Sequence, residues 1–161
     1  MIELYLHPFM RRQRKNGTSG DAPVQLPCAC ASLRRAARVV TQFYDDALRP
    51  SGLRATQFTL LQALHLAPGI SQKDLARLLG IDSTTLTRTL ALLRRRSWLR
   101  AEAGTDRREF RLVLTPAGQR EYRRVIPYWR SAQTRLRQAL GAANWKQVMN
   151  AAVRTVAAVR D

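Results

Sequence analysis

The strongest constraint on this chain lies at residues 71–98, SQKDLARLLGIDSTTLTRTLALLRRRSW, which allow little besides two short helices joined by a tight turn. Ser71, with Asp74 three residues on, has the spacing of a capping box, so a helix starts there. Leu75, Leu78 and Leu79 give that helix one apolar stripe, and Gly80, free to take a left-handed backbone, ends it. Asp82 or Ser83 caps the next helix. There Leu86, Leu90 and Leu93 share one face, while Thr84, Thr87, Arg88 and Ala91 fall opposite at i, i+3, i+4 and i+7. One face is core; the other is left for a partner.

Charge narrows what that partner is. Lysine and arginine number 28 against 11 acids, a net +17, which favours an anionic partner such as nucleic acid or an acidic membrane. Compositional drift in an Arg- and Ala-rich chain is the alternative, but drift does not explain why the arginines cluster. The length of 161 residues suits one domain. Two cysteines, Cys28 and Cys30, are too few for a disulfide scaffold, so a reducing, cytoplasmic compartment is expected. Glu3, His7 and Pro8 interrupt the first ten residues and the charges follow them, the reverse of a secretory signal. No run approaches the ~20 apolar residues of a membrane span, so the chain is expected to be soluble, with no membrane partner.

Residues 1–27 contain RRQRKNGTSGDAP and read as a basic flexible arm, either a solvated tail or a source of non-specific phosphate attraction. From Cys28 to Leu48 the spacing is helical, with Leu33, Ala36, Ala37, Val40 and Tyr44 near one stripe and Arg34, Arg35, Arg38 and Asp45 away from it. RPSGL, residues 49–53, is a loop. Thr56 is the expected cap of QFTLLQALHLA, a helix apolar around most of its circumference and therefore central, which Pro68 and Gly69 end.

After Trp98 the pattern becomes a hairpin, in which Phe110, Leu112 and Leu114 alternate with Arg111 and Val113, and Asp106, Arg107 and Arg108 occupy the tip. Thr115 and Pro116 start a long helix that runs to about Leu140, with a kink expected at Pro127. Asn144 with Gln147 repeats the capping-box spacing, and a last helix carries Val148, Met149, Ala152, Val153, Val156 and Val159. The first and last helices read as a packing surface between two subunits, with intrachain core as the alternative. The fold class expected is mainly α with a small β-hairpin wing (α+β), a winged helix-turn-helix. Its single domain covers 28–161, with dimerisation helices at 28–53 and 116–161 and a DNA-binding lobe at 54–115 whose wing spans about 99–114.

DLARLLGIDSTTLTRTLALLRRRSWL followed by TDRREFRLVLTPAGQ resembles the MarR family of bacterial and archaeal transcription regulators over roughly residues 33–137. The matches are Ser83, Thr84, Thr87 and Arg88 on the recognition helix, Asp106 and Arg108 in the wing, and Leu114, Thr115 and Gly118 at the next helix. Ser97 departs from the pattern, standing where the family usually has glycine. The resemblance implies an obligate homodimer on a pseudo-palindromic operator in double-stranded DNA, with recognition helices in the major groove and wings in the minor groove. The expected DNA-contacting set is Ser71, Gln72, Ser83, Thr84, Thr85, Thr87, Arg88, Asp106, Arg107 and Arg108, with Asp106 orienting an arginine. Short hydroxyl and arginine side chains at a helix start suit this, since arginine can take guanine O6 and N7.

The resemblance also implies release by a small aromatic ligand, with Tyr44, Phe58 and His65 in the pocket wall, although aromatics at helical spacing also suit a plain core. A second reading aligns Cys30 with the reactive cysteine of the family's organic-hydroperoxide-sensing branch, Cys28 serving as a resolving or intersubunit thiol toward an oxidant. Ala55 and Phe58 stand where that branch places tyrosines. Such proteins are regulators, and a repressor is expected over an activator. An enzyme is disfavoured by the lack of a Ser-His-acid set, a metal-ligand cluster or a glycine-rich phosphate loop, so no cofactor and no metal are expected. A non-specific basic nucleic-acid-binding protein is the remaining alternative; aromatics exposed on strands would favour single-stranded RNA, whereas the expected hairpin carries a charged tip and apolar alternation.

Overall fold

In a computed structural model, which describes residues 27–103 and 110–160, the chain runs α1 (Ala29–Leu48), a 3-10 turn (Arg49–Ser51), α2 (Ala55–Leu66), β1 (Ile70–Ser71), α3 (Gln72–Leu79), α4 (Ser83–Arg95), β2 (Leu99–Ala103), β3 (Phe110–Leu114) and α5 (Pro116–Arg160). The chain divides into two units that meet between residues 35 and 36. Of the first, residues 27–35 are described, of which 29–35 form the start of α1, and the Ser32 amide donates to the Cys28 carbonyl at 3.0 Å. The basic arm expected at 1–27 lies, apart from Pro27, outside the described residues, as do Asp106, Arg107 and Arg108.

In the second unit α2 occupies the centre, because a helix apolar all round must be enclosed. Its Phe58, Leu60, Leu61, Ala63 and Leu64 are buried. Around them close Leu48 of α1, Leu75 of α3, Leu86, Leu90 and Leu93 of α4, Leu99, Leu112 and Leu114 of the sheet, and Tyr122 and Val125 of α5. Each such leucine contributes about 1.5–3 kcal/mol relative to an exposed one. The sheet has β3 in the middle, in the order β1-β3-β2, with both pairings antiparallel. Leu99 faces Leu114 and Ile70 faces Leu112 across it.

Several local expectations are corrected. β1 was not expected; two residues are too few for a period-2 pattern, and Ile70–Ser71 becomes a strand only because β3 offers an edge. Leu78 is 60% exposed, whereas Ala76 and Leu79 join Leu75 against the core. At 100° per residue the buried direction lies between Leu75, Ala76 and Leu79, leaving Leu78 beyond its edge.

Thr56 does not cap α2. The helix starts two residues earlier than expected, with Arg54 at N-cap, and the Ala55 amide is taken by Asp45 Oδ1 at 2.7 Å while the Arg54 amide donates to Gln57 Oε1 at 3.0 Å. Asp45, expected to face away, has a side chain only 14% exposed. An unpaired helix-start amide attracts a carboxylate from any neighbouring element.

In α5 the break falls at Gly141 (φ 74°, ψ 161°), while Pro127 remains within helical backbone. Proline's fixed φ is compatible with a helix, whereas a left-handed φ asks for glycine. Asn144 is no cap: it lies inside the following arm and its Nδ2 donates back to the Leu140 carbonyl at 3.0 Å. Val148, Met149, Val153, Val156 and Val159 of that arm are exposed, as are Ala36, Ala37 and Val40 of α1.

Candidate nucleic-acid interface

The candidate interface is built on α3 and α4, which end in the same way. Beyond α3 the Gly80 amide reaches the Arg77 carbonyl (3.3 Å) and the Ile81 amide the Ala76 carbonyl (3.2 Å), with Gly80 at φ 64°. Beyond α4 the Ser97 amide reaches Arg94 (2.8 Å) and the Trp98 amide Leu93 (3.0 Å), with Ser97 at φ 55°. Both are Schellman closures, which need a left-handed residue. Gly80 takes it without cost, while Ser97 is the non-glycine residue with positive φ among those described.

The helix starts are equally well made. Ser71 caps α3 by accepting the Asp74 amide at 3.1 Å, and its hydroxyl donates to Asp74 Oδ2 at 2.7 Å. Asp82 caps α4, accepting the Thr85 amide at 2.8 Å on Oδ1 and the Thr85 hydroxyl at 2.6 Å on Oδ2. These bonds hold the Asp82 carboxyl below the usual carboxylate range.

With Leu86, Leu90 and Leu93 fully buried, the opposite face of α4 is forced outward, and Ser83, Thr84, Thr87 and Arg88 are exposed. Arg94 and Arg95 in the last turn of α4, and Arg96 and Arg100 beyond it, are exposed as well. Arg96 stacks over Trp98 at 4.8 Å, and Arg100 pairs with Glu102 at 2.6 Å. Gln72 Nε2 donates to Thr87 Oγ1 at 2.9 Å, joining α3 to α4, a bond across 15 residues with no periodic signature.

The Leu114-Thr115-x-x-Gly118 motif acquires a physical reason. Thr115 is the N-cap of α5, accepting the Gly118 amide at 3.1 Å, and the same hydroxyl donates to the Ser97 carbonyl at 2.6 Å. A Cβ on Gly118 would lie 2.2 Å from the Trp98 carbonyl oxygen, so only glycine lets α5 start this close to the end of the helix-turn-helix.

The residues expected around a ligand separate. Tyr44 and Phe58 share a cleft of about 220 Å³ with Val40, Leu48, Ala55 and Trp129. Phe58 stacks on Tyr122 at 5.8 Å and meets Trp129 at 5.9 Å. Tyr44 donates its hydroxyl to Gln133 Oε1, and burial pushes its phenol up. His65 does not reach this cleft. It is exposed, stacked on Tyr122 at 4.3 Å with Nδ1 2.9 Å from Gln119 Oε1. It shares a side of α2 with Phe58 but lies two turns, about 10 Å, along the axis. Cys28 and Cys30 are free thiols at exposed positions. Among the described residues no three His, Cys, Asp or Glu side chains converge on a metal position, and no helix is long and apolar enough to cross a membrane.

Residues 51–109 match the MarR family. The transcriptional regulator MosR of M. tuberculosis, solved in complex with DNA, is 38% identical with a TM-score of 0.74, over 83% of this chain and 96% of that one. CouR, a transcriptional repressor solved on a 23-mer DNA duplex, is 25% identical with a TM-score of 0.70, over 84% and 99% of the two chains. Among curated relatives, the HTH-type regulator YwoH of Bacillus subtilis is 28% identical over 93 residues, 58% of this chain and 68% of its own.

Proposed function

This chain belongs to the MarR family of transcriptional regulators, and on that premise we propose that it acts in the cytoplasm as a homodimeric repressor on a pseudo-palindromic operator in double-stranded DNA. The observation that carries the proposal is the two-sided build of α4. Leu86, Leu90 and Leu93 are locked into the core, and Ser83, Thr84, Thr87 and Arg88 stand outward at the start of a capped helix. Such a face fits the major groove, with Arg88 as the guanine reader and the helix start beside a phosphate. Arg108, with Arg107, is assigned to the flanking contact and Asp106 to orienting an arginine rather than meeting DNA. The exposed Ala and Val positions of α1 and the last arm of α5 supply the subunit contact. By this assignment 28–53 and 116–161 dimerise and 54–115 bind DNA.

Release by a small aromatic compound is supported by the cleft under Tyr44. Its volume is about 220 Å³, and Tyr44, whose proton goes to Gln133, offers its oxygen there as an acceptor. Footprinting the protein on DNA upstream of its own gene tests the DNA reading; a protected inverted repeat is expected, and protection independent of sequence would overturn it in favour of a non-specific nucleic-acid binder.

A second trigger is favoured by one observation, the pair of free, exposed thiols Cys28 and Cys30. In this reading peroxide oxidises the Cys30 thiol to a sulfenic acid and is itself reduced to water, and a Cys28 thiol, within the subunit or across the dimer, then displaces hydroxide as water to form a disulfide. Peroxide should then release the DNA from the wild type and spare it with Cys30→Ser; retention of DNA by the oxidised wild type removes the thiol trigger.

A further inference from the structure

The hydroxyls along the recognition helix are largely committed inside the protein. Thr87 Oγ1 donates to the Ser83 carbonyl at 2.7 Å and accepts Gln72 Nε2 at 2.9 Å. Thr85 Oγ1 donates to Asp82 and Thr89 Oγ1 to the Thr85 carbonyl at 3.0 Å. A threonine hydroxyl has a single proton to donate, so none of the three retains a donor for a base edge. Thr87 is nonetheless exposed, one position before Arg88 on the same outward face.

We propose that Thr87 is a specificity-determining residue that reads the 5-methyl group of thymine through its own methyl, and that Gln72 is a positioning residue which fixes Thr87 in that presentation. With the oxygen occupied from two sides, the apolar half of the side chain is what Thr87 offers a groove. The thymine methyl is the apolar feature that a major groove displays. Gln72, on α3, reaches across to α4 and occupies one of the two acceptor positions of a hydroxyl whose proton already goes to the Ser83 carbonyl, which holds the Thr87 side chain in place. The inference rests on the duplex-DNA reading above and names the base chemistry of one position within it.

The test uses the full-length protein and a duplex selected by it from a random pool. Each thymidine is replaced in turn by deoxyuridine, which removes the methyl alone. At one position in each half-site the wild type should lose about fourfold in affinity per methyl, the value of one buried CH₂-sized group. Thr87→Ser keeps the hydroxyl and its back-bond, so its helix is preserved, and it should bind the thymidine and deoxyuridine duplexes equally. Thr87→Val keeps a methyl but gives up the bond to Gln72, so its thymidine-to-deoxyuridine ratio should fall below that of the wild type yet stay above that of Thr87→Ser. Gln72→Ala should reduce the thymidine-to-deoxyuridine ratio. Weakening both duplexes alike would make Gln72 a DNA contact and overturn its positioning role. An unchanged deoxyuridine penalty in Thr87→Ser overturns the assignment of Thr87 while leaving the operator reading intact. Failure of the wild type to select any duplex overturns the operator reading and this inference together.

Discussion

Asp45, in the last turns of α1, accepts the backbone amide of Ala55, the first residue of α2, at 2.7 Å. The same carboxylate takes Arg54 Nη1 on Oδ2 at 3.1 Å, but that guanidinium is largely exposed and adds little. The bond to the amide matters more, since it satisfies a helix-start donor beside the cleft that Tyr44 and Ala55 line. Asp45→Ala should therefore cost about 1–2 kcal/mol in urea unfolding. Asp45→Asn, which can still accept through its amide oxygen, should recover most of that loss. Equal loss in both variants would mean that charge outweighs the hydrogen bond.

Gly118 tolerates no side chain for a reason of space. Its ordinary backbone would suit alanine, yet the added Cβ would meet the Trp98 carbonyl oxygen at 2.2 Å. Backbone on both sides leaves no flexible atom to yield. Gly118→Ala should destabilise by about 3 kcal/mol, the upper range of overpacking, and should weaken DNA binding by displacing α5 from the end of the helix-turn-helix. Thermal melting checks the first effect and a duplex titration the second.

Ser97 presents the opposite case. At φ 55° it occupies the left-handed position that Gly80 occupies after α3, and serine bears steric strain there. Ser97→Gly should stabilise the protein by about 0.5–1 kcal/mol, the relief being partly offset by glycine's greater freedom when unfolded. A lower melting temperature would show that a Ser97 contact outweighs the strain.

These three positions also mark where sequence reasoning reaches. The core face Leu86, Leu90 and Leu93, the Ser71 and Asp82 caps, the Gly80 closure and the Thr115 start were legible because each is set by spacing within one element. The strained Ser97 was legible only by comparison with a family pattern. The Asp45 cap, the β1 strand and the Gln72 to Thr87 bond were not legible. Each joins elements brought together by the fold, and no local period encodes such a contact. His65 illustrates the converse, since matching helical phase hides a displacement along the axis that takes it out of the cleft.

Acid should loosen the recognition helix through Asp82. The Thr85 hydroxyl and amide hold its carboxyl below the ordinary value of 3.8. The folded form thus binds its proton less readily than the unfolded form, so the cap's contribution is fully present above the unfolded value and fades as pH falls through the lower folded one. Asp82→Asn retains a capping oxygen but cannot titrate. As pH drops below about 4, the wild type should lose stability more steeply than Asp82→Asn, measured as urea midpoints across the range. Parallel curves would show that Asp82 does not contribute to the acid response.

The arginines of the candidate interface should separate by what they read. Arg88 stands on the outward face of α4 among Thr84 and Thr87, with Leu86 and Leu90 fixing the helix behind it. A guanidinium there can satisfy guanine O6 and N7 together, so Arg88→Ala should cost about 1–3 kcal/mol on the cognate duplex and relax preference at one base position per half-site. Arg95, at the end of the same helix, and Arg108 in the segment joining β2 and β3 suit phosphate or minor-groove contact. Arg95→Ala and Arg108→Ala should weaken cognate and scrambled duplexes alike. They should also flatten the dependence of affinity on salt, because each phosphate neutralised releases counterions. Titrating all three variants on both duplexes across a salt series distinguishes the roles. If Arg88→Ala lost equally on cognate and scrambled DNA, its guanidinium would be a backbone contact, and the base reading would have to pass to Ser83, Thr84 and Thr87.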